Sequence, residues 1–415
     1  MKFVGDFHIH SKYARATSQD MDLEHLDTWA KIKGIKVIST GDFTHPVWFK
    51  ELQEKLEPVE QGLYQLKQSK LGTRFILTTE LSCIYSKGGQ VRKVHLLIFA
   101  PSLEAVAKIN AHLGVRGNLK ADGRPIIGID AKEVVKIALD ASPDCMVIPA
   151  HAWTPWFAVF GSKSGFNSLQ ECFDEYTKYI YAIETGLSSD PAMNWRLSQL
   201  DSIAFISNSD SHSPPKIGRE ANVFDTELSY QGIADALKKK DPSKFLFTVE
   251  FFPEEGKYHY DGHRLCGVSF KPEESKQHNN ICPKCGRPLT IGVLNRVAEL
   301  ADRPEGFRPE GAIPYKSLIP LEEIIADALG VGTVSKRVRE EYEKLIHTVG
   351  DEFSILLDAD IAGLQSATLP EIAEGIKRVR EGNVHIEPGF DGEYGKIEIF
   401  KEGEPKTFTT QKSLF

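Results

Sequence analysis

A chain of 415 residues that is 41% hydrophobic and 26% charged has an ordinary globular composition, long enough for two or three domains and unlike a disordered or fibrous protein. Its net charge of −8 argues against broad nonspecific attraction to nucleic acid, but residues 301–415 hold 14 Lys and Arg against 22 Asp and Glu, so residues 1–300 balance at 36 of each. No run has the apolar length of a membrane helix, the start lacks signal-peptide features, and six cysteines are too few for a disulfide framework, so a cytoplasmic protein is expected.

The first expected strand runs into Asp6, His8 and His10. Side chains two apart on a strand share a face, so both imidazoles can reach one metal ion. Asp22 to Lys33 reads as an amphipathic helix stopped by Gly34. The apolar runs 36–42 and 75–80 each end in a carboxylate, Asp42 and Glu80. His95 stands at the start of the run 93–99 rather than its end. Asp130 and Ser168 open capping boxes before helical patterns. The run 146–151 ends in His151, and the run 204–212 ends in Asp210-Ser211-His212. Strands alternating with helices, with ligand chemistry at several strand ends, point to a β/α barrel. An open doubly wound sheet would concentrate such residues at its switch point.

Near residue 250 the periodicity stops. His263-x-x-Cys266 and Cys282-x-x-Cys285 then form two pairs with the spacing of a structural zinc site, with His259, Asp261 and His278 as alternatives to His263. Helical patterns return at 321–329, 335–349 and 370–381, and the stretch 384–408 reads as short strands around Gly389, Gly392 and Gly395. The expected organisation is an α/β distorted barrel over residues 1–252, a zinc-knuckle module over 253–300, and a mainly helical domain over 301–415.

His8, His10, Asp42, Glu80, His95, His151, Asp210 and His212 together have the chemistry of a multinuclear hydrolase. Its ions would activate a hydroxide and clamp phosphoryl oxygens, and Glu80 is the natural bridge because a carboxylate has two oxygens. Asp6-Phe7-His8-Ile9-His10, Thr40-Gly41-Asp42, Val94-His95, Ala150-His151 and Ser209-Asp210-Ser211-His212 resemble the motif series of the PHP (polymerase and histidinol phosphatase) superfamily. The resemblance implies a distorted β/α barrel and up to three zinc or manganese ions. His8, His10, Glu80 and Asp210 would be catalytic and hold the first ion; Glu80, His95 and His151 would hold the second; Asp42 and His212 would belong to the third. Thr40-Gly41-Asp42 stands where the superfamily often has Thr-Asp-His, and a cationic, polar stretch follows the first motif.

Further stretches, among them Arg15-Ala16-Thr17-Ser18, Gly123-Arg124-Pro125, Tyr258 to Arg264 and Glu387 to Gly392, resemble the endonuclease Q family over nearly the whole chain. That resemblance implies a DNA-repair nuclease cutting 5′ of uracil, hypoxanthine, xanthine and abasic sites. Its cofactors would be a structural Zn²⁺ and catalytic Zn²⁺, Mg²⁺ or Mn²⁺. Its partners would be damaged DNA and replication or repair proteins, with no membrane. Lys12, Arg15, Arg92, Arg116, Lys120, Arg124 and Arg264 are the expected DNA contacts. Trp153, Trp156 and Phe160, following His151, are expected to wall a pocket for an extruded base. The alternatives are a phosphoesterase of small monoesters and a noncatalytic DNA-binding protein.

Overall fold

Strand Lys2–Asp6 lies at the centre of the main sheet, and the computed structural model describes residues 1–401 around it. It pairs in parallel with Ile35–Ser39, which pairs in parallel with Arg74–Lys87. The next strand departs from simple β/α alternation. Gly88 and Gly89, both at positive φ, make a two-residue turn, and Gln90–Ala100 returns antiparallel along Arg74–Lys87. Met146–Pro149 then pairs antiparallel with Gln90–Ala100. A separate parallel pair, Ala182–Glu184 and Ala204–Ile206, closes the ring. It is tied to the neighbouring strand end by Ala152 N donating to Glu184 O (2.9 Å), and to the first strand's end by His10 N donating to Ser211 O (2.9 Å). The result is the expected distorted barrel. Three more strands, Ala221–Asp225, Phe245–Glu250 and Tyr315–Ser317, extend the sheet beyond it.

The two-residue strand period sorts the core. Phe3, Val37, Ile76, Leu97, Phe99, Met146 and Ile148 point inward, where Phe7 meets Phe99 and Phe224 with ring centroids 5.9 Å apart in each case. Phe75, Leu77, Leu96, Ile98 and Val147 point outward onto the helices. Each large side chain so buried contributes about 1.5–3 kcal/mol, so the barrel floor is a firm base for the polar groups above it.

Helix Leu23–Lys33 is capped by Asp22, whose carboxylate accepts from His25 N, and ends at Gly34 in the left-handed conformation. The C-terminal helices Leu321–Leu329, Lys336–Thr348 and Pro370–Glu381 fall where the periodicity puts them, the first and last ending at Gly330 and Gly382. Helices Pro46–Lys55, Leu103–Gly114 and Tyr230–Lys239 were not read from the pattern, although Pro46 at the first turn, Ser102 and Ser229 mark their starts. Strands His385–Glu387 and Lys396–Glu398 flank the three tail glycines, and Gly389 N donates to Glu254 O (2.8 Å), docking the tail on the segment before the knuckle. The part of the expected tail beyond residue 401 lies outside the described residues. Among those described, no helix is long and apolar enough to cross a membrane.

Candidate metal centre

The inward face that carries Ile76 continues through Thr78 to Glu80, at the end of the barrel where the parallel strands finish. The antiparallel ladder sets Ser82 opposite His95, which brings a residue from the start of its strand to the same mouth. His8 and His10 arrive from the first strand, and His151 and Asp210 from the loops after Pro149 and Ile206.

Two groups of ligand atoms meet on Glu80. Its Oε2 lies 3.5 Å from His8 Nε2 and 3.2 Å from His10 Nε2, and Asp210 Oδ1 is 3.5 and 3.2 Å from the same two nitrogens. Its Oε1 lies 2.6 Å from His95 Nδ1 and 3.1 Å from His151 Nε2. One carboxylate therefore faces two adjacent ligand sets, as a bridge must. His8 Nε2, His10 Nε2 and Asp210 Oδ1 are buried without a hydrogen-bond partner. Buried polar atoms are rarely left unpaired, so three converging on one point fit a cation.

The electrostatics agree. Burial lowers the pKa of His8, but Glu184, Asp210 and Glu80 outweigh it and hold the ring well above the ordinary range. Burial acts likewise on His10, where Asp42 leads the opposing groups and the pKa again ends high. Glu80 is held well below its ordinary value against its burial by His95, Arg124 and His8. A site that draws protons onto buried imidazoles attracts positive charge generally. His95 differs, because burial outweighs the pull of Glu80 and brings it down to about 4.

Asp42 stands behind His10 and outside both groups. Its Oδ1 is 3.0 Å from His10 Nδ1, while Oδ2 accepts from Ser11 N (2.6 Å) and Ser11 Oγ (2.7 Å). Gly41, at φ +59, lets the chain pass Ile9, whose carbonyl oxygen would be 2.5 Å from a Cβ there. Glu184 does for His8 what Asp42 does for His10: its oxygens are 3.0 and 3.1 Å from His8 Nδ1, and it also accepts from His151 N and Asn208 Nδ2. Sequence reasoning missed Glu184, although Ala182-Ile183-Glu184 is one more apolar run ending in a carboxylate. Asp42, His151 and Asp210 all have positive φ, a strain of about 1–3 kcal/mol each that these networks sustain. His212 lies at the rim, its ring 4.5 Å from that of His10 and its Nδ1 2.9 Å from the Asp210 carbonyl. Asp6 is not in either group and accepts from Ser209 N and Gly218 N, anchoring the loop that carries Asp210.

Because Glu184 fixes the His8 ring, Glu184→Gln is expected to weaken metal binding about 10–100-fold with little change in melting temperature. Calorimetric metal titration of the metal-stripped protein checks this, and unchanged affinity would show that His8 is oriented by something else.

The second cluster holds His263, Cys266, Cys282 and Cys285, with ligand atoms all within 4.8 Å of one another. Burial raises the Cys282 thiol, but the amides of Lys284 and Cys285 bring it down to about 7, near the thiolate form a metal needs. His259, Asp261 and His278 are not part of the cluster. Asp261 accepts from Gly292 N and Asn295 Nδ2, and His278 stacks on Phe270.

Among the expected DNA contacts, Arg15, Arg116, Lys120 and Arg264 are exposed, and Lys12 is half-buried beside Glu51. Arg124 reaches the centre itself, with Nη1 3.0 Å from Glu80 Oε2. Arg92 is half-buried: its guanidinium lies 4.2 Å over Phe166 and donates to Gly165 O, so it braces the loop after His151. The aromatic pocket is corrected. Trp153 and Phe160 are buried against each other, and Trp153 Nε1 donates to Asn194 Oδ1, so neither ring offers a face to a base. Trp156 alone of the three is exposed, packing edge-on against Tyr258.

Fold and site define a distorted barrel whose mouth gathers histidines and carboxylates able to hold metal, the arrangement of a metal-dependent hydrolase. Over 96% of its length the chain is similar to the lesion-specific endonuclease PfuEndoQ from Pyrococcus furiosus, with 32% identity, a TM-score of 0.85 and 95% of that chain covered. It matches equally, at 32% identity and TM-score 0.85 over 100% of both chains, an endonuclease Q in complex with a 27-mer duplex bearing an abasic lesion at the active site. The chain belongs to the endonuclease Q family. Residues 320–383 match the family model for the MJ0043 C-terminal domain. The uncharacterized protein MJ0043 of Methanocaldococcus jannaschii is 37% identical over 60% of this chain, which spans 31% of that protein's length.

Proposed function

We propose that the protein is a metal-dependent DNA endonuclease that hydrolyses the phosphodiester 5′ of deaminated bases (uracil, hypoxanthine, xanthine) and of abasic sites. The observation that carries this reading is the convergence of three unpartnered buried ligand atoms on Glu80 in a chain 32% identical, end to end, to a lesion-specific endonuclease. His8, His10, Asp210 and Glu80 would hold one ion, and Glu80, His95 and His151 would hold another. Bound Zn²⁺, Mg²⁺ or Mn²⁺ supplies Lewis acidity and a more acidic water. Asp42 and Glu184 keep the two N-terminal imidazoles aimed, and His212 remains at the opening. Arg124, with Nη1 3.0 Å from Glu80 Oε2, would be placed to meet a phosphoryl oxygen at the mouth. Lys12, Arg15, Arg116, Lys120 and Arg264 track the backbone phosphates, which makes affinity fall as salt rises. The knuckle holds a structural Zn²⁺, and the chain divides into residues 1–252, 253–300 and 301–415.

The test is a gel assay with end-labelled duplexes carrying one uracil, hypoxanthine or abasic site, beside undamaged controls and with each divalent ion. A nick 5′ to the lesion and none in the controls is expected. Equal cutting of all duplexes would mean a nonspecific nuclease. Hydrolysis of small phosphate esters without any nicking would mean a monoesterase.

A further inference from the structure

The loop between strands Ala204–Ile206 and Ala221–Asp225 carries Asp210 in the left-handed conformation, at φ 45°. A residue other than glycine stays there only when its surroundings hold it. On the barrel side, Asp6 accepts from Ser209 N (3.1 Å) and Gly218 N (2.9 Å), and Arg219 Nε donates to the Ser209 carbonyl (2.8 Å). Farther along, the loop is held by a different part of the chain. Lys216 Nζ lies 2.7 Å from Glu322 Oε1 and 2.8 Å from Glu323 Oε1, in the first turn of helix Leu321–Leu329. Gly218 is pressed between the barrel and the same region: a Cβ there would fall 2.9 Å from Ile35 Cδ1 and 3.2 Å from Phe353 Cε2.

The two carboxylates are fixed to the barrel by a separate route. Lys33, at the end of helix Leu23–Lys33, reaches Glu352 Oε2 at 2.7 Å with both side chains buried. Glu352 Oε1 then accepts from Leu321 N (3.1 Å), the residue before Glu322, and Tyr342 OH donates to the other oxygen (2.6 Å). The helix start is thus a fixed point, and Lys216 is drawn to it. Glu255, on the segment before the knuckle, adds another acid: burial and Glu323 push it up to about 7 against the pull of Lys216 and Arg219. Between Lys216 and Asp210 the chain contains Pro214 and Pro215, in a tight turn closed by Lys216 N donating to Ser213 O (3.0 Å). Proline fixes φ, so the link is short and stiff and passes a displacement on.

We propose that Lys216 is a positioning residue: by tying its loop to the acidic start of helix Leu321–Leu329, it holds Asp210 where the first ion needs it. The C-terminal helices then help to build the metal centre although, among the described residues, none of their side chains belongs to either ligand group. Contacts behind a ligand set its aim, and affinity falls when they are removed. The effect should be confined to the group of His8, His10 and Asp210, because Glu80, His95 and His151 are carried by other strands and loops. The inference rests on the metal-centre reading and adds what keeps Asp210 in place.

The full-length protein, its barrel emptied by a chelator under conditions that leave the knuckle zinc in place, is titrated calorimetrically with Mn²⁺. Lys216→Met keeps the stem and loses the charge, and it should weaken the binding of one ion on the order of 10-fold. Lys216→Arg, which keeps the charge, should recover most of that loss. Glu322→Gln combined with Glu323→Gln breaks the same contact from the other side and should repeat it. In an Asp210→Ala background, Lys216→Met should change nothing further, because the remaining ion is held by Glu80, His95 and His151. Equal weakening with and without Asp210 would show a general structural effect and overturn the inference, as would unchanged affinity in Lys216→Met. Wild-type protein that binds no Mn²⁺ would overturn the metal-centre reading and this inference with it.

Discussion

Glu80→Gln is expected to abolish nuclease turnover, lowering kcat by at least about 10³-fold, and to cut the content of barrel-bound metal sharply while the secondary structure stays intact. Among the described residues, Glu80 is the one side chain in both ligand groups, with Oε2 toward His8 and His10 and Oε1 toward His95 and His151. An amide has the same shape but offers one oxygen and no charge, so it can serve one ion weakly and cannot bridge. The strands that form the mouth are held by the buried apolar layer beneath it, which the substitution leaves alone. Elemental analysis and circular dichroism on the purified variant, beside the nicking assay, are the measurements. A variant with full metal content and measurable turnover would mean that the ions are bridged elsewhere.

The second large effect concerns the knuckle. Cys282→Ser is expected to release one zinc per chain and to unfold the module around residues 261–290, leaving the barrel folded. The core of that module is very small: Val268, Cys282 and Leu289, with Cys266 and Phe270 against them. So little buried area cannot offset the chain entropy of ordering the segment. The missing stability must come from the metal, which in comparable zinc-finger peptides supplies roughly 10–16 kcal/mol. Hydrogen exchange should show protection lost in the knuckle and in the tail segment that leans on it, since Arg264 N and Thr290 Oγ1 both donate to Asp391. Retention of all zinc, with protection unchanged, would place the tetrahedral site on other residues.

The sequence by itself determined a good deal. His-x-His on a strand, carboxylates and histidines at the ends of apolar runs, and paired Cys-x-x-Cys spacing are local patterns, and local geometry converts them directly into shared faces and shared sites. The helix ends at Gly34, Gly330 and Gly382 were legible for the same reason, because only the left-handed conformation there was at issue. Gly88-Gly89 carried an equally local signal that went unread, and it is what reverses the strand bearing His95. The tertiary structure alone decided which groups coordinate and which orient. Asp42 looked like a ligand and stands behind His10, while Glu184, 176 residues from the His8 ring it steadies, carried only a weak sign of its role. It also decided that Trp153 and Phe160 face the core and that Arg92 stacks on Phe166. Burial and hydrogen-bond partners at those positions come from segments far apart in the chain, and a periodic pattern records only which face a residue occupies, not what the other segments bring against it.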